Sequence, residues 1–331
     1  MVKAVPVRQD DVSVHNSMES GIDFGTDLLD LGDLGEASGE TDPLEGALKV
    51  KRDPKFRRAL IAEAVGTGMI VLFGCGTVCS TLSGAFSGIW QVAVVWGIGV
   101  ALAISATAGI SGAHLNPAVT LAFQLVRPSL GWRKSRLYMV AQLFGAICGG
   151  ALNLAIYSGT ITAFERSRGI TRGSPESILS ASAFGEYFPN PGLTLNHGGV
   201  YRQDDVTAAH ACFVEGWGTF VLCFVIFALT HPNNAVPETA GSRVVVPLLI
   251  GGTVSLLLAL YAPITQAGWN PARDFGPRLV AACAGWGSVA IPGPRGGFWI
   301  YIVGPFIGGP LGAAFAEFLL WGGLAEDGYF Q

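Results

Sequence analysis

The stretch “WNPARDFGP”, residues 269–277, sets an asparagine, an arginine and an aspartate between two apolar runs, Val244–Ala262 and Phe298–Trp321. Its core occurs twice. “ITQAGWNPARDFG”, residues 264–276, answers “ISGAHLNPAVTLA”, residues 110–122, through a shared Asn-Pro-Ala triplet: Asn116, Pro117 and Ala118 in one, Asn270, Pro271 and Ala272 in the other. An earlier pair of segments also matches. “AEAVGTGMIVLFG”, residues 62–74, and “VEGWGTFVLCFVI”, residues 214–226, both keep Glu, two intervening residues, Gly and Thr. Glu63 precedes Asn116 by 53 positions and Glu215 precedes Asn270 by 55, so two markers recur in one order at nearly one spacing, as in an internal repeat.

The solvent of this repeat is lipid. Of 331 residues, 50% are hydrophobic and 13% charged, with a mean hydropathy of +0.46, more apolar surface than a soluble domain of this length hides. Six stretches have the length of about 20 residues that crosses the hydrocarbon of a bilayer: Leu60–Cys79, Trp90–Ala108, Tyr138–Tyr157, Ala208–Leu229, Val244–Ala262 and Phe298–Trp321. Three spans per repeat is an odd number, so the second copy enters the bilayer from the opposite side. The two Asn-Pro-Ala segments, too short to cross, then approach each other from opposite faces. Proline suits the first turn of a helix, where its missing N–H would have no partner, and asparagine before it is a good N-cap. Each box therefore starts a half-helix, Pro117–Val126 and Pro271–Ala282, with its N-terminus at the midplane. The fold class predicted is an all-α membrane protein of six transmembrane helices plus two re-entrant half-helices in an inverted repeat.

Charge divides the chain further. Residues 1–48 hold eleven Asp or Glu against two basic residues, a balance of −9, whereas the rest holds thirteen acids against eighteen bases, a balance of +5. The first segment, poor in patterned apolar residues, is expected to be a disordered acidic tail. Residues 49–322 are expected to form one membrane domain: repeat one at 58–158, a loop at 159–205, repeat two at 206–322, then a short tail at 323–331. The basic runs “KVKRDPKFRR”, residues 49–58, and “RPSLGWRKSR”, residues 127–136, precede the first and third spans. By the positive-inside rule they are cytoplasmic, which puts both termini there and the 159–205 loop outside. The plasma membrane is the expected location, with an internal membrane the alternative. Cys75 and Cys79 share a helix face but read as small packing residues.

Two helix N-termini, each carrying about half a positive charge, would converge at one point with the Asn116 and Asn270 amides as donors. Cations are disfavoured there, and a water oriented by two donors cannot relay protons in both directions. Arg273, three residues after Asn270, can reach the pore from the outer side, where five fixed N–H donors grip a hydroxyl or carbonyl oxygen. The alternative is a snorkelling interfacial arginine. Asp274 can pair with Arg273, Arg278 or loop N–H groups, either to hold the loop or to affect solute choice. Glu63 and Glu215 lie inside apolar helices, where an ionisable group is costly. Holding the adjacent non-helical segments fits their repetition better than proton relay. His114 either touches the pore or packs the loop. No catalytic site, metal site, cofactor or nucleic-acid partner is expected.

From about residue 58 to 322 the chain resembles an aquaporin, and “GAHLNPAV” with “NPARDFGP” resembles the glycerol-facilitator, or aquaglyceroporin, branch. The segments at 96–122 and “GSPESI”, residues 173–178, add to the likeness. The resemblance implies a homotetramer with a pore in every subunit, and a selectivity filter at Trp96, Leu258, Ala267 and Arg273. It also matches the facilitator pattern of Asp274 with Arg278. The best-known facilitators have Gly at the Leu258 position and a bulky aromatic at the Ala267 position, so this filter departs from theirs twice. Its two-faced lining implies glycerol, and urea, alongside water. A water-selective channel, a coupled secondary transporter and a membrane enzyme are the rival readings.

Overall fold

The computed structural model describes residues 53–194, 202–234 and 241–323, so the acidic segment at 1–48 lies outside the described residues. Among the described residues, six helices are long and apolar enough to cross a membrane. In chain order the helices of ten residues or more among the described residues are α1 (Pro54–Thr81), α2 (Ile89–Ser111), the half-helix α3 (Pro117–Val126), α4 (Gly131–Arg168), α5 (Ala208–Leu229), α6 (Ser242–Thr265), the half-helix α7 (Pro271–Ala281) and α8 (Ile300–Trp321). Both half-helices begin at the proline of an Asn-Pro-Ala box with the asparagine as N-cap.

Packing repeats with the sequence. α1 lies against α2 and α4, and its counterpart α5 lies against α6 and α8, while α2 and α6 pack on each other across the seam. Each half-helix leans on the third helix of the other repeat, α3 on α8 and α7 on α4. Glycine permits the closest approaches, as small residues do between membrane helices. A Cβ at Gly97 of α2 would fall 2.4 Å from the Gly251 carbonyl oxygen of α6, and one at Gly251 would fall 2.2 Å from that of Gly97. Outward lie large apolar side chains such as Phe144, Phe213, Leu256 and Phe318, the surface a lipid-facing bundle presents.

The structure departs from the sequence reading in two places. The expected loop at 159–205 begins as helix, because α4 continues from the apolar span to Arg168. Residues 159–168 mix polar side chains with apolar ones, Ile161 packing in a buried cluster with Phe184 and Trp286, and Glu165 near their end is held by Arg172 (2.9 Å) and by Ser180 Oγ (2.7 Å). The second departure is a third acid inside the apolar helices. Glu317 on α8 is buried and ion-paired with Arg127, the C-cap of α3; the same guanidinium donates to the Phe227 carbonyl (2.8 Å) at the end of α5. Of the cysteines, Cys75, Cys79 and Cys223 are buried, whereas Cys148 and Cys283 are exposed.

Candidate functional site

The segments leading into the two boxes are matched in backbone as well as in sequence. Ala113 and Leu115 (φ 50° each) stand three and one residues before Asn116; Ala267 (φ 72°) and Trp269 (φ 48°) stand three and one before Asn270. Left-handed backbone costs a residue with a Cβ about 1–2 kcal/mol, so each segment needs external support. The repeated Glu-x-x-Gly-Thr motif supplies it. Glu63 accepts the N–H groups of His114 (3.0 Å) and Leu115 (2.7 Å), together with Ser111 Oγ (2.6 Å) and Gln142 Nε2 (2.7 Å). Glu215 accepts the N–H groups of Gly268 (3.1 Å) and Trp269 (2.8 Å). One turn on, glycine makes room for the side chain before the asparagine: a Cβ at Gly66 would meet Leu115 at 2.5 Å, and one at Gly218 would meet Trp269 at 2.1 Å. The threonines, Thr67 and Thr219, bond back to the carbonyls of Glu63 and Glu215, both at 2.8 Å.

The asparagines close the arrangement. Asn116 Oδ1 accepts from Ala118 N (2.8 Å), and Asn270 Oδ1 from Ala272 N and Arg273 N (3.1 Å each). Each side-chain amide then donates to the opposite repeat: Asn116 Nδ2 to the Trp269 carbonyl (2.9 Å), Asn270 Nδ2 to the Leu115 carbonyl (2.8 Å). The half-helices are thus cross-braced tip to tip. An amide nitrogen carries two hydrogens, so one on each asparagine is spent on the brace and the other remains for the space beside it.

That space is a cavity of about 120 Å³ lined by Asn116, Asn270, Trp96, Leu258, Ala267 and Arg273. All four residues assigned to the filter therefore meet on one cavity with both asparagines. Val100, Ile104, Ile250 and Val254 make an apolar wall on α2 and α6. His114 lines the cavity and also packs: its ring stacks on Phe123 (4.6 Å between centroids) and its Nδ1 lies 3.3 Å from Thr120 Oγ1. Trp96 fits because α1 carries Gly74 opposite it, where a Cβ would come within 2.1 Å of the indole.

Arg273 and Asp274 turn out to have separate tasks. Arg273 lies over the Trp96 ring, its Cζ 4.2 Å from the centroid, and forms an ion pair with Glu186. Its Nη1 is buried with no hydrogen-bond partner in the protein. Asp274 does not pair with Arg273. It accepts from Arg278 Nε (3.1 Å) and Nη2 (2.8 Å) and from the backbone N–H of Glu186 (2.7 Å). Arg278 in turn donates to the Glu186 carbonyl and to the Ala290 carbonyl (3.0 Å). The aspartate and the second arginine thus hold the 169–207 connection at one residue, Glu186, which the sequence reading did not single out. Its only signal was a lone acid in the neutral stretch “SASAFGEYFPNP”, residues 180–191.

This arrangement, two cross-braced half-helices capped by asparagine within a six-helix inverted repeat, coincides with a match of residues 50–316 to the major intrinsic protein family. The chain belongs to that family. It is 39% identical over 263 residues to a glycerol uptake facilitator protein of Pseudomonas aeruginosa, covering 78% of this chain and 88% of the relative. It is 41% identical over 263 residues to the propanediol uptake facilitator PduF of Citrobacter freundii, with 78% and 91% covered. With the glycerol uptake facilitator of Escherichia coli K12 the identity is 41% over 256 residues, covering 76% and 84%. Among solved structures, the aquaglyceroporin from Plasmodium falciparum superposes with a TM-score of 0.65 over 78% of this chain and 95% of that one, at 23% identity, a likeness of fold. The chain is an integral, multi-pass membrane protein.

Proposed function

We propose that this member of the major intrinsic protein family is a passive channel for water and small uncharged solutes, with glycerol the principal organic solute and protons and ions excluded. The observation that carries this reading is the two-faced cavity: Trp96, Leu258, Val254 and Ile250 offer a carbon backbone an apolar wall, while Arg273, Asn116 and Asn270 offer its hydroxyls donors. A polyol needs both faces, and the relatives named for glycerol and propanediol uptake agree with it. Urea, small and rich in hydrogen-bonding groups, is expected to follow. Exclusion of charge rests on the two converging half-helix N-termini, whose dipoles oppose cations at the point where the asparagines meet.

The basic residues before α1 and α4 set both termini on the cytoplasmic side, in the plasma membrane, with the 169–207 connection outside. A homotetramer with one pore per subunit is the expected assembly, in keeping with the apolar outer faces of the bundle. The reading is tested by stopped-flow shrinkage and re-swelling of vesicles carrying the purified protein, with glycerol, 1,2-propanediol and urea in turn. Re-swelling with glycerol well above that of empty vesicles is expected. Rapid water flux with no glycerol re-swelling would reassign the protein as a water-selective channel.

A further inference from the structure

We propose that Glu186 is a positioning residue of the constriction: through its ion pair it holds one terminal nitrogen of Arg273 away from the solute path, and so sets the ratio of water to polyol flux. The inference rests on reading the cavity as that path. Four observations fix the geometry. The Arg273 and Glu186 side chains are each only 4% exposed, so the pair is sealed from bulk water. Glu186 does not line the cavity that Arg273 lines, which places it behind the guanidinium. Its backbone is gripped at both its N–H and its carbonyl, by Asp274 and Arg278, which fixes the point from which its side chain reaches Arg273. With Nη2 held by Glu186 and the guanidinium lying over Trp96, Nη1 is the terminal nitrogen without a protein partner.

The chemistry follows from those contacts. An ionised Glu186 cancels the charge of Arg273 and leaves Nη1 as a nearly neutral donor, which holds a passing oxygen loosely. A protonated Glu186 leaves the guanidinium fully charged and holds that oxygen more tightly, because a hydrogen bond from an uncompensated cation is the stronger one. A polyol, which must exchange several such contacts in passing, feels the difference more than water does. The carboxyl faces Arg273, Asp274 and Arg278 on α7 and Glu215 on α5, with Tyr187 beside it and Tyr301 on α8. Burial pushes it up to about 8, with Arg273 opposing the rise and Asp274 and Glu215 adding to it. A separate cavity of about 20 Å³, lined by Glu186, Tyr187, Arg278 and Tyr301, offers room for about one water as a route for the proton. As pH rises through about 8 the proton leaves, the ion pair is completed and glycerol passes more freely; as pH falls the reverse holds.

The test compares the wild type with Glu186→Gln and Glu186→Asp, measuring water and glycerol flux in vesicles from pH 6 to pH 9. In the wild type the glycerol-to-water ratio is expected to rise about threefold across the range, the scale of a modest change in one hydrogen bond. Glu186→Gln should give a flat profile fixed near the low-pH value, and Glu186→Asp should restore the pH dependence. A wild-type profile that is flat, or one that persists unchanged in Glu186→Gln, overturns the proposal. Were glycerol not to pass at all, the function proposed above would fall while the pH profile of water flux would still report on Glu186, so the two failures are distinguishable.

Discussion

Arg273 combines in one side chain the features on which discrimination at the constriction depends: a fixed charge, a face laid on Trp96 and one unpartnered terminal nitrogen. Replacing it with alanine removes the fixed charge that bars cations, and Glu186, losing the partner that favours its ionised form, is driven further toward its neutral form and supplies no replacement charge. Arg273→Ala is therefore expected to raise proton or cation leak about tenfold or more, the effect of ~1.4 kcal/mol off a barrier, while water flux survives. Loss of water flux with no added leak, read from vesicles with an internal pH dye, would instead make Arg273 a structural element. Ala267 gives a second test. Leu258 and Ala267 both line the cavity, and Leu258 already fills space that glycine would leave open. Ala267→Phe is expected to cut glycerol flux several-fold more than water flux. Unchanged glycerol flux in that variant would place the constriction elsewhere.

At the scale of elements, the Glu-x-x-Gly-Thr motif and the Asn-Pro-Ala box work as one device, built twice. The glutamate ties down the left-handed segment, the glycine admits the side chain before the asparagine, and the asparagines brace the two half-helices. Glu63→Ala would leave four donors without their acceptor: Ser111 Oγ, the His114 and Leu115 N–H groups, and Gln142 Nε2. A buried donor left unpaired costs about 1–3 kcal/mol, and even partial rescue by water leaves a loss of at least about 3 kcal/mol. A large fall in Tm in detergent, with flux lost, is the expected result; an unchanged Tm would remove the glutamate from its supporting role. Gly218→Ala should also destabilise, since its Cβ would fall 2.1 Å from the Trp269 indole nitrogen. Much of this was readable in the sequence. Apolar length marks the spans, and Asn-Pro ahead of a helix-compatible stretch is a local N-cap and first-turn signal, so both half-helices could be placed within a residue or so. The grip on Glu186 was not readable, because the Glu186 N–H bond to Asp274 joins residues 88 positions apart and leaves no local pattern. Arg127 with Glu317 escaped for the same reason. The extension of α4 to Arg168 escaped because apolar length reports where a helix crosses lipid and not where it stops.

For the whole molecule, the inverted repeat explains why the path runs through the middle of the chain's own symmetry. α2 and α6 meet across the seam, the half-helices meet tip to tip, and the cavity lies where the two repeats face each other. Among the described residues, those that line it lie between Ile70 and Arg273, and the 2–48 segment is too acidic and too poorly patterned to pack in the membrane part, so deleting residues 2–48 is expected to leave flux per protein unchanged in reconstituted vesicles. A fall in flux at equal protein would give that acidic segment a part in opening the channel. The central claim is that solute crosses down its own gradient through a standing path. Its most direct test is glycerol flux into vesicles with no ion gradient, measured over a wide range of glycerol concentration with and without ionophores. The account predicts flux proportional to the glycerol gradient and indifferent to ionophores; flux that saturates and collapses when the proton or sodium gradient is dissipated would contradict it and make the protein a coupled transporter.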